Sequence, residues 1–155
     1  MSDEIPPLLA DVTVPIPPDR AFTAFTAGFD DWWPPSFTWS QPANLVQMRF
    51  GTAEGDLLNE IGPHGFRLDW GRITRWDPPE AVGFTWQIGP DRVPVPDPDR
   101  ASLVEVTFRP SDRGTQVAVR HHRWAAHGDG AAAYREQFAP AWPMALEAYA
   151  ATSTR

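Results

Sequence analysis

The chain has 155 residues, a formal net charge of -7, no cysteine, and 13 basic side chains that are all arginine. Without thiols, disulfides, thiol catalysis, thiolate zinc sites and iron–sulfur clusters are excluded, and without lysine so is Schiff-base chemistry. The acidic balance argues against nucleic acid or an anionic membrane as partner, because both reward basic patches.

One domain spanning 1–155 is expected, long enough to bury most of its apolar surface. The 18 prolines sit mainly between apolar runs, where they act as punctuation. The opening MSDEIPPLLADV is acidic and carries no apolar run behind a basic flank, so no signal peptide is expected. No apolar run approaches the roughly 20 residues that span a bilayer. A soluble cytoplasmic protein is the default.

Leu8 to Ile16 is rich in β-branched residues and predicts a first strand. Pro18 suits a first helical position, and Phe22, Phe25 and Phe29 then fall on one helix face, ready to pack on a sheet. Trp32 and Trp33 follow between two aspartates and two prolines. Adjacent tryptophans cannot share one face of a regular element, so at least one should project away from whatever the other packs against. The pair reads either as a pocket rim or as a cap on the core. Phe37 and Trp39 extend this cluster.

Val46, Met48 and Phe50 alternate with Gln47 and Arg49, predicting a second strand, and Gly55 to Ile61 predicts a third. Leu58 and Glu60 share a face there. Facing inward, Glu60 is a buried carboxylate that needs a partner; facing outward, the commoner case, it is a surface acid. Gly62-Pro63-His64-Gly65 is a turn. It leads into the central stretch, Phe66 to Ile88, broken by Asp77-Pro78-Pro79 where two prolines cannot donate to a ladder. Phe66, Leu68 and Trp70 share one face until the phase slips at Gly71, which predicts a bulge or sharp bend. Val82, Phe84, Trp86 and Ile88 alternate on the return strand.

Gly89 to Arg100 is rich in proline and aspartate, without period, and reads as a long connection between hairpin strands. Ser102, Val104, Val106 and Phe108 then mark one face of a strand, and Thr115, Val117, Val119 and His121 the inward face of the last one. Asp129 is a candidate N-cap for a helix from Ala131 to Phe138. Beyond Pro140, Trp142, Ala145, Leu146 and Tyr149 form a helical stripe suited to the sheet.

Three patterns bear on chemistry. Gly128 to Ala133 matches a dinucleotide-binding fingerprint, but too little chain follows for the second parallel strand such a site needs, so a glycine-rich strand-to-helix turn is the better reading. His121 and His122 are consecutive on a strand, point to opposite faces and cannot chelate one ion; no metal and no cofactor is expected. His121 alone is a polar group on an apolar face, either a hydrogen-bonded core histidine or an anchor for a bound molecule. No serine sits in a nucleophile elbow.

The order of elements, together with Pro18 to Thr26, Trp32-Trp33-Pro34, Gly55 to Glu60, Trp70-Gly71-Arg72-Ile73, Asp77-Pro78-Pro79, Phe84-Thr85-Trp86, Val104 to Phe108, His121-His122 and Ala141-Trp142-Pro143, resembles the family related to the C-terminal domain of the Hsp90 ATPase activator, within the START-like (SRPBCC) superfamily. Asp56 and Ala141 depart from it, standing where glycines are usual. The resemblance covers nearly the whole chain. It implies an α+β helix-grip fold, a curved antiparallel sheet wrapped around a long C-terminal helix with two short helices after the first strand.

It also implies an apolar cavity for a lipid, a polyketide-like or another aromatic small molecule. The expected walls are Phe84, Trp86, Val104, Val106, Phe108 and Val119, with Met48, Trp70 and Phe138 beside them. Trp142 and Leu146 are the expected roof, Trp32 or Trp33 with Phe37 and Trp39 the mouth, and His121 the polar anchor. A ligand-binding protein is the leading expectation. The alternatives are a cyclase or hydrolase using His121 and Glu60 as acid–base groups, and an Hsp90-type co-chaperone, which a chain of this length leaves little room for. A homodimer is left open.

Overall fold

The computed structural model of the chain describes residues 5–153; Met1 to Glu4, in the stretch read above for a leader, lie outside them. Seven strands form one antiparallel sheet, in the order β1-β7-β6-β5-β4-β3-β2. They are β1 (Leu8–Val14), β2 (Gln47–Arg49), β3 (Leu57–Ile61), β4 (Arg67–Asp77), β5 (Ala81–Trp86), β6 (Ser102–Ser111) and β7 (Gly114–His122). The helices are α1 (Pro18–Thr26), α2 (Phe29–Trp32), α3 (Gln41–Asn44), α4 (Ala131–Phe138) and α5 (Ala141–Ser153). The sheet curls into a half-barrel and α5 packs on it, the helix-grip architecture.

Period-two alternation sets which face is buried. In β6, Ser102, Val104, Val106 and Phe108 are buried, and in β7 Thr115, Val117, Val119 and His121. α5 buries Trp142, Ala145, Leu146 and Tyr149 against this surface, and a large apolar side chain such as Leu146 contributes roughly 1.5–3 kcal/mol when so buried. α1 buries Phe22 and Phe25 beside them, and the Tyr149 hydroxyl donates to Ala21 O at 2.7 Å, tying α5 to α1.

The slip at Gly71 is a β-bulge. Leu58 pairs with Gly71 and Asn59 with Asp69, which leaves Trp70 without a partner on β3. Gly71 is required by close approach, since a Cβ there would lie 2.5 Å from Thr85 O. The return strand ends at Trp86, two residues earlier than its alternation suggests, and Ile88 makes an isolated bridge to Pro94. Asp129 does not cap α4. The cap is Gly130, at φ 83 with no side-chain hydrogen bond, because the chain reverses through left-handed glycines at 128 and 130. That turn is also what the fingerprint-like glycines form. α4 and α5 are separated only at Ala139 and Pro140.

Candidate functional site

A cavity of about 480 Å³ opens where β2 to β5, the 33–41 segment, the loop after β5, α4 and the first residue of α5 converge. Its walls are largely aromatic. Trp33 stacks on Phe29 at 5.0 Å between ring centroids and meets Trp86 at 6.0 Å. Trp86 in turn meets Trp70 at 5.4 Å and Phe138 at 5.2 Å. Most of these pairs are tilted or edge-to-face, the arrangements favoured by the ring quadrupoles. Trp86 is held further by Tyr134, whose hydroxyl accepts from the Trp86 indole at 2.9 Å and donates to Ile88 O at 2.6 Å. Burial pushes the Tyr134 phenol up to about 12, against a smaller opposing effect of the Trp86 hydrogen bond.

The mouth is a short strap, residues 38–40, pinned from two sides. Glu60 faces inward and is 2% exposed, the less common of the two placements considered for it. Its partners are backbone groups: Oε1 accepts the Trp39 N–H at 2.9 Å and Oε2 the Ser40 N–H at 2.8 Å. From the opposite side the Arg92 guanidinium donates to Thr38 O and Trp39 O, and the Trp39 indole donates back to Arg92 O. Asp91 and Arg92 hold left-handed conformations at φ 59 and 63. Such strain persists only where the surroundings over-determine it, and here the strap contacts do.

His121 lies in the core behind the cavity. It is fully buried, stacks on Trp124 at 3.9 Å, and has both ring nitrogens engaged: Nδ1 accepts from the Trp142 indole at 3.0 Å and Nε2 meets Ser102 Oγ at 2.7 Å. Ser102 Oγ also meets His127 Nε2 at 2.8 Å, and the Ser102 N–H donates to the same nitrogen at 3.1 Å. Desolvation, then the neighbouring His127 and His122, holds His121 well below the usual histidine value; desolvation lowers His127 to about 4.

Of the residues singled out in the sequence, Trp33, Phe37, Trp39, Met48, Glu60, Trp70, Trp86 and Phe138 meet around the cavity. Phe84, Val104, Val106, Phe108, Val119 and Leu146 are packed in the core, as is Trp142. The two adjacent tryptophans part company. Trp32 turns to Phe25 and Tyr149 and donates to Phe25 O, while Trp33 walls the cavity. Glu60 and His121 are not joined, each being bonded to other groups. Tyr134, Asp91 and Arg92 also line the cavity. The spacing of Tyr134 and Phe138, one helical turn apart, could have found the first; nothing in an aperiodic loop marks the others. Among the described residues no group of three or more His, Cys, Asp or Glu could hold a metal ion, and no helix is long and apolar enough to cross a membrane.

A comparison with curated proteins finds no match. Among solved structures, an anthrahydroquino-gamma-pyrone synthase, Txn09, determined in complex with a ligand, is 34% identical with a TM-score of 0.66, over 97% of this chain and 99% of that one. Protein NE0264 from Nitrosomonas europaea is 11% identical with a TM-score of 0.67, over 95% of this chain and 93% of that one. Protein MLL2253 from Mesorhizobium loti is 17% identical with a TM-score of 0.63, over 94% of each chain. The last two are alike in fold alone. The family described as Activator of Hsp90 ATPase homolog 1-like protein matches residues 15–152. With that match across the helix-grip fold, the chain belongs to the Activator of Hsp90 ATPase homolog 1-like family.

Proposed function

We propose that the protein binds a planar, ring-containing hydrophobic small molecule in the cavity beside α4 and the start of α5. The observation that carries this reading is the wall of Trp33, Trp70, Trp86 and Phe138 around about 480 Å³, a volume within the roughly 300–1,000 Å³ usual for small-molecule sites. Micromolar binding corresponds to about −8 kcal/mol. At about 25 cal/mol per Å² this needs at least ~300 Å² of apolar burial, and more once ordering is counted. Flat ligands suit the wall better than acyl chains, because rigid rings meet rings at little entropic cost. Titration with tricyclic aromatics should quench tryptophan fluorescence saturably. Ala141→Trp, which fills the cavity from the half-buried start of α5 without truncating a core side chain, should abolish that response and leave the fold intact. No saturable response to any planar ligand, or an unchanged response in Ala141→Trp, would reject the reading.

The 34% identity to a protein named as a synthase favours a second reading, ring closure on such a ligand. Glu60 is then the wall carboxylate that takes the proton from a ligand hydroxyl as the hydroxyl oxygen bonds to the ketone carbon. The carbonyl oxygen, which receives the C=O pair, takes that proton back to give a cyclic hemiketal with no atom lost. His121, sealed behind the wall, has no part. Turnover of a hydroxylated polycyclic ketone to a ring-closed product, lost in Glu60→Gln with binding retained, separates this reading from simple binding.

A further inference from the structure

The indoles of this protein are well supplied with acceptors. Trp32, Trp124 and Trp142 donate within the core to Phe25 O, His121 O and His121 Nδ1. At the cavity, Trp86 donates to Tyr134 Oη and Trp39 to Arg92 O. Trp33 and Trp76 make no such bond either, but among the described residues Trp70 is the indole whose N–H is both buried and unpaired. It walls the cavity and is 3% exposed. Buried donors are seldom left unpaired in native proteins, and each such case calls for a partner. Two of the cavity's oxygen-bearing groups have other partners, Glu60 two backbone N–H groups and the Tyr134 hydroxyl Trp86 and Ile88.

We propose that the Trp70 indole N–H is a specificity-determining donor for a ring carbonyl, so that the cavity takes an aryl ketone or quinone in preference to a plain aromatic hydrocarbon. This rests on the ligand-binding reading above and names the ligand's chemical class. A hydrocarbon satisfies the aromatic walls and leaves the N–H unpaired. A carbonyl oxygen pairs it, and because water does not reach this atom, the oxygen displaces no existing hydrogen bond there. Sites built around a hydrogen bond discriminate against analogues that lack the matching group far better than apolar walls discriminate by size. The N–H is out of reach of water in the free cavity, so pairing requires the ring to turn toward the ligand, away from its packing on Phe84 and Trp86.

The test uses a matched pair, anthraquinone-2-sulfonate and anthracene-2-sulfonate, which share a tricyclic frame and a solubilising group and differ in the ring carbonyls. Calorimetric titration of the intact protein should give about tenfold tighter binding of the quinone, equivalent to about 1.4 kcal/mol. Trp70→Phe should bring the two affinities to within twofold, mainly by weakening the quinone. Should that variant fold poorly, the indole proton resonance of Trp70, assigned through its contacts with Phe84 and Trp86, should move downfield with the quinone and not with the hydrocarbon. Equal affinities for both ligands in the intact protein would overturn the assignment and leave the cavity reading standing. So would a quinone preference that survives Trp70→Phe, or an indole proton indifferent to the quinone. Failure of both ligands to bind would overturn the assignment together with the cavity reading beneath it.

Discussion

Ser102 sits between two histidines, and the direction of each proton in that chain is set from both ends. At one end the Trp142 indole can only donate, so His121 Nδ1 carries no hydrogen and its proton is on Nε2. At the other, the Ser102 N–H donates to His127 Nε2, so that nitrogen too is an acceptor. Ser102 Oγ therefore accepts from His121 and donates to His127, and both rings are neutral. Ser102→Ala strips the acceptor from a fully buried His121 N–H and should destabilise the fold by roughly 1–3 kcal/mol, measured by urea denaturation; a change under about 0.5 kcal/mol, the level of an ordinary surface substitution, would contradict this arrangement. The same chain makes stability depend on pH. Folded His127 titrates near 4 and His121 well below its usual value, against about 6.5 when unfolded. The unfolded chain thus binds more protons in between. Stability from these groups is full above about pH 6.5 and is lost as pH falls toward about 4. His127→Gln keeps an acceptor but cannot take the proton, and it should lessen the pH dependence of the denaturation midpoint across that window, leaving the share that His121 contributes; an unchanged slope would show that His127 plays no part in it.

Among the elements, the strap at 38–40 makes the clearest demand. Glu60→Ala leaves the buried Ser40 N–H and the part-buried Trp39 N–H without acceptors. It should cost roughly 1–3 kcal/mol for the first and less for the second, which water can reach, with Glu60→Gln intermediate because one acceptor remains. Amide exchange at Trp39 and Ser40 should accelerate strongly in Glu60→Ala. In Arg92→Ala, which frees carbonyls rather than N–H groups, it should accelerate less; the reverse order would mean that the loop, not β3, holds the mouth. These elements also show where sequence reasoning stops. The alternation in β6 and β7 placed eight side chains on the correct face, because a period of two needs only neighbours to declare itself. Glu60 was ambiguous because β3 is short and its phase depends on which side the core lies. The core placement of Val104, Val106 and Phe108 could not be separated from cavity lining, since alternation tells which way a side chain points and not whether space remains above it. That space depends on the break between α4 and α5 and on Arg92 in an aperiodic loop, both three-dimensional matters.

At the scale of the molecule, the first strand pairs with the last: Leu8 lies opposite His121 and Val14 opposite Thr115, and α5 packs beside β1. The sheet is therefore completed only when distant parts of the chain meet, a topology associated with folding in milliseconds to seconds. Removing residues 1–14 would strip β7 of its partner and leave an open, apolar edge of the kind that recruits other chains. Soluble aggregates in size-exclusion chromatography are the expected result; a monomer with an unchanged circular dichroism spectrum would show β1 to be dispensable. The aromatic rings form a network on the same scale. From Phe22 through Phe108, Phe25, Phe29, Trp33 and Trp86 to Phe138, each ring centroid lies within 6.3 Å of the next. Among its indoles, Trp32, Trp86 and Trp142 each lie within 6.0 Å of Trp33, and Trp70 lies 5.4 Å from Trp86. Light absorbed by one of these indoles therefore passes to the others, while the phenyl rings, which absorb at higher energy, do not carry it. The tryptophans thus form an antenna around the cavity, and a quinone bound beside Trp70, as proposed above, would darken indoles it never touches.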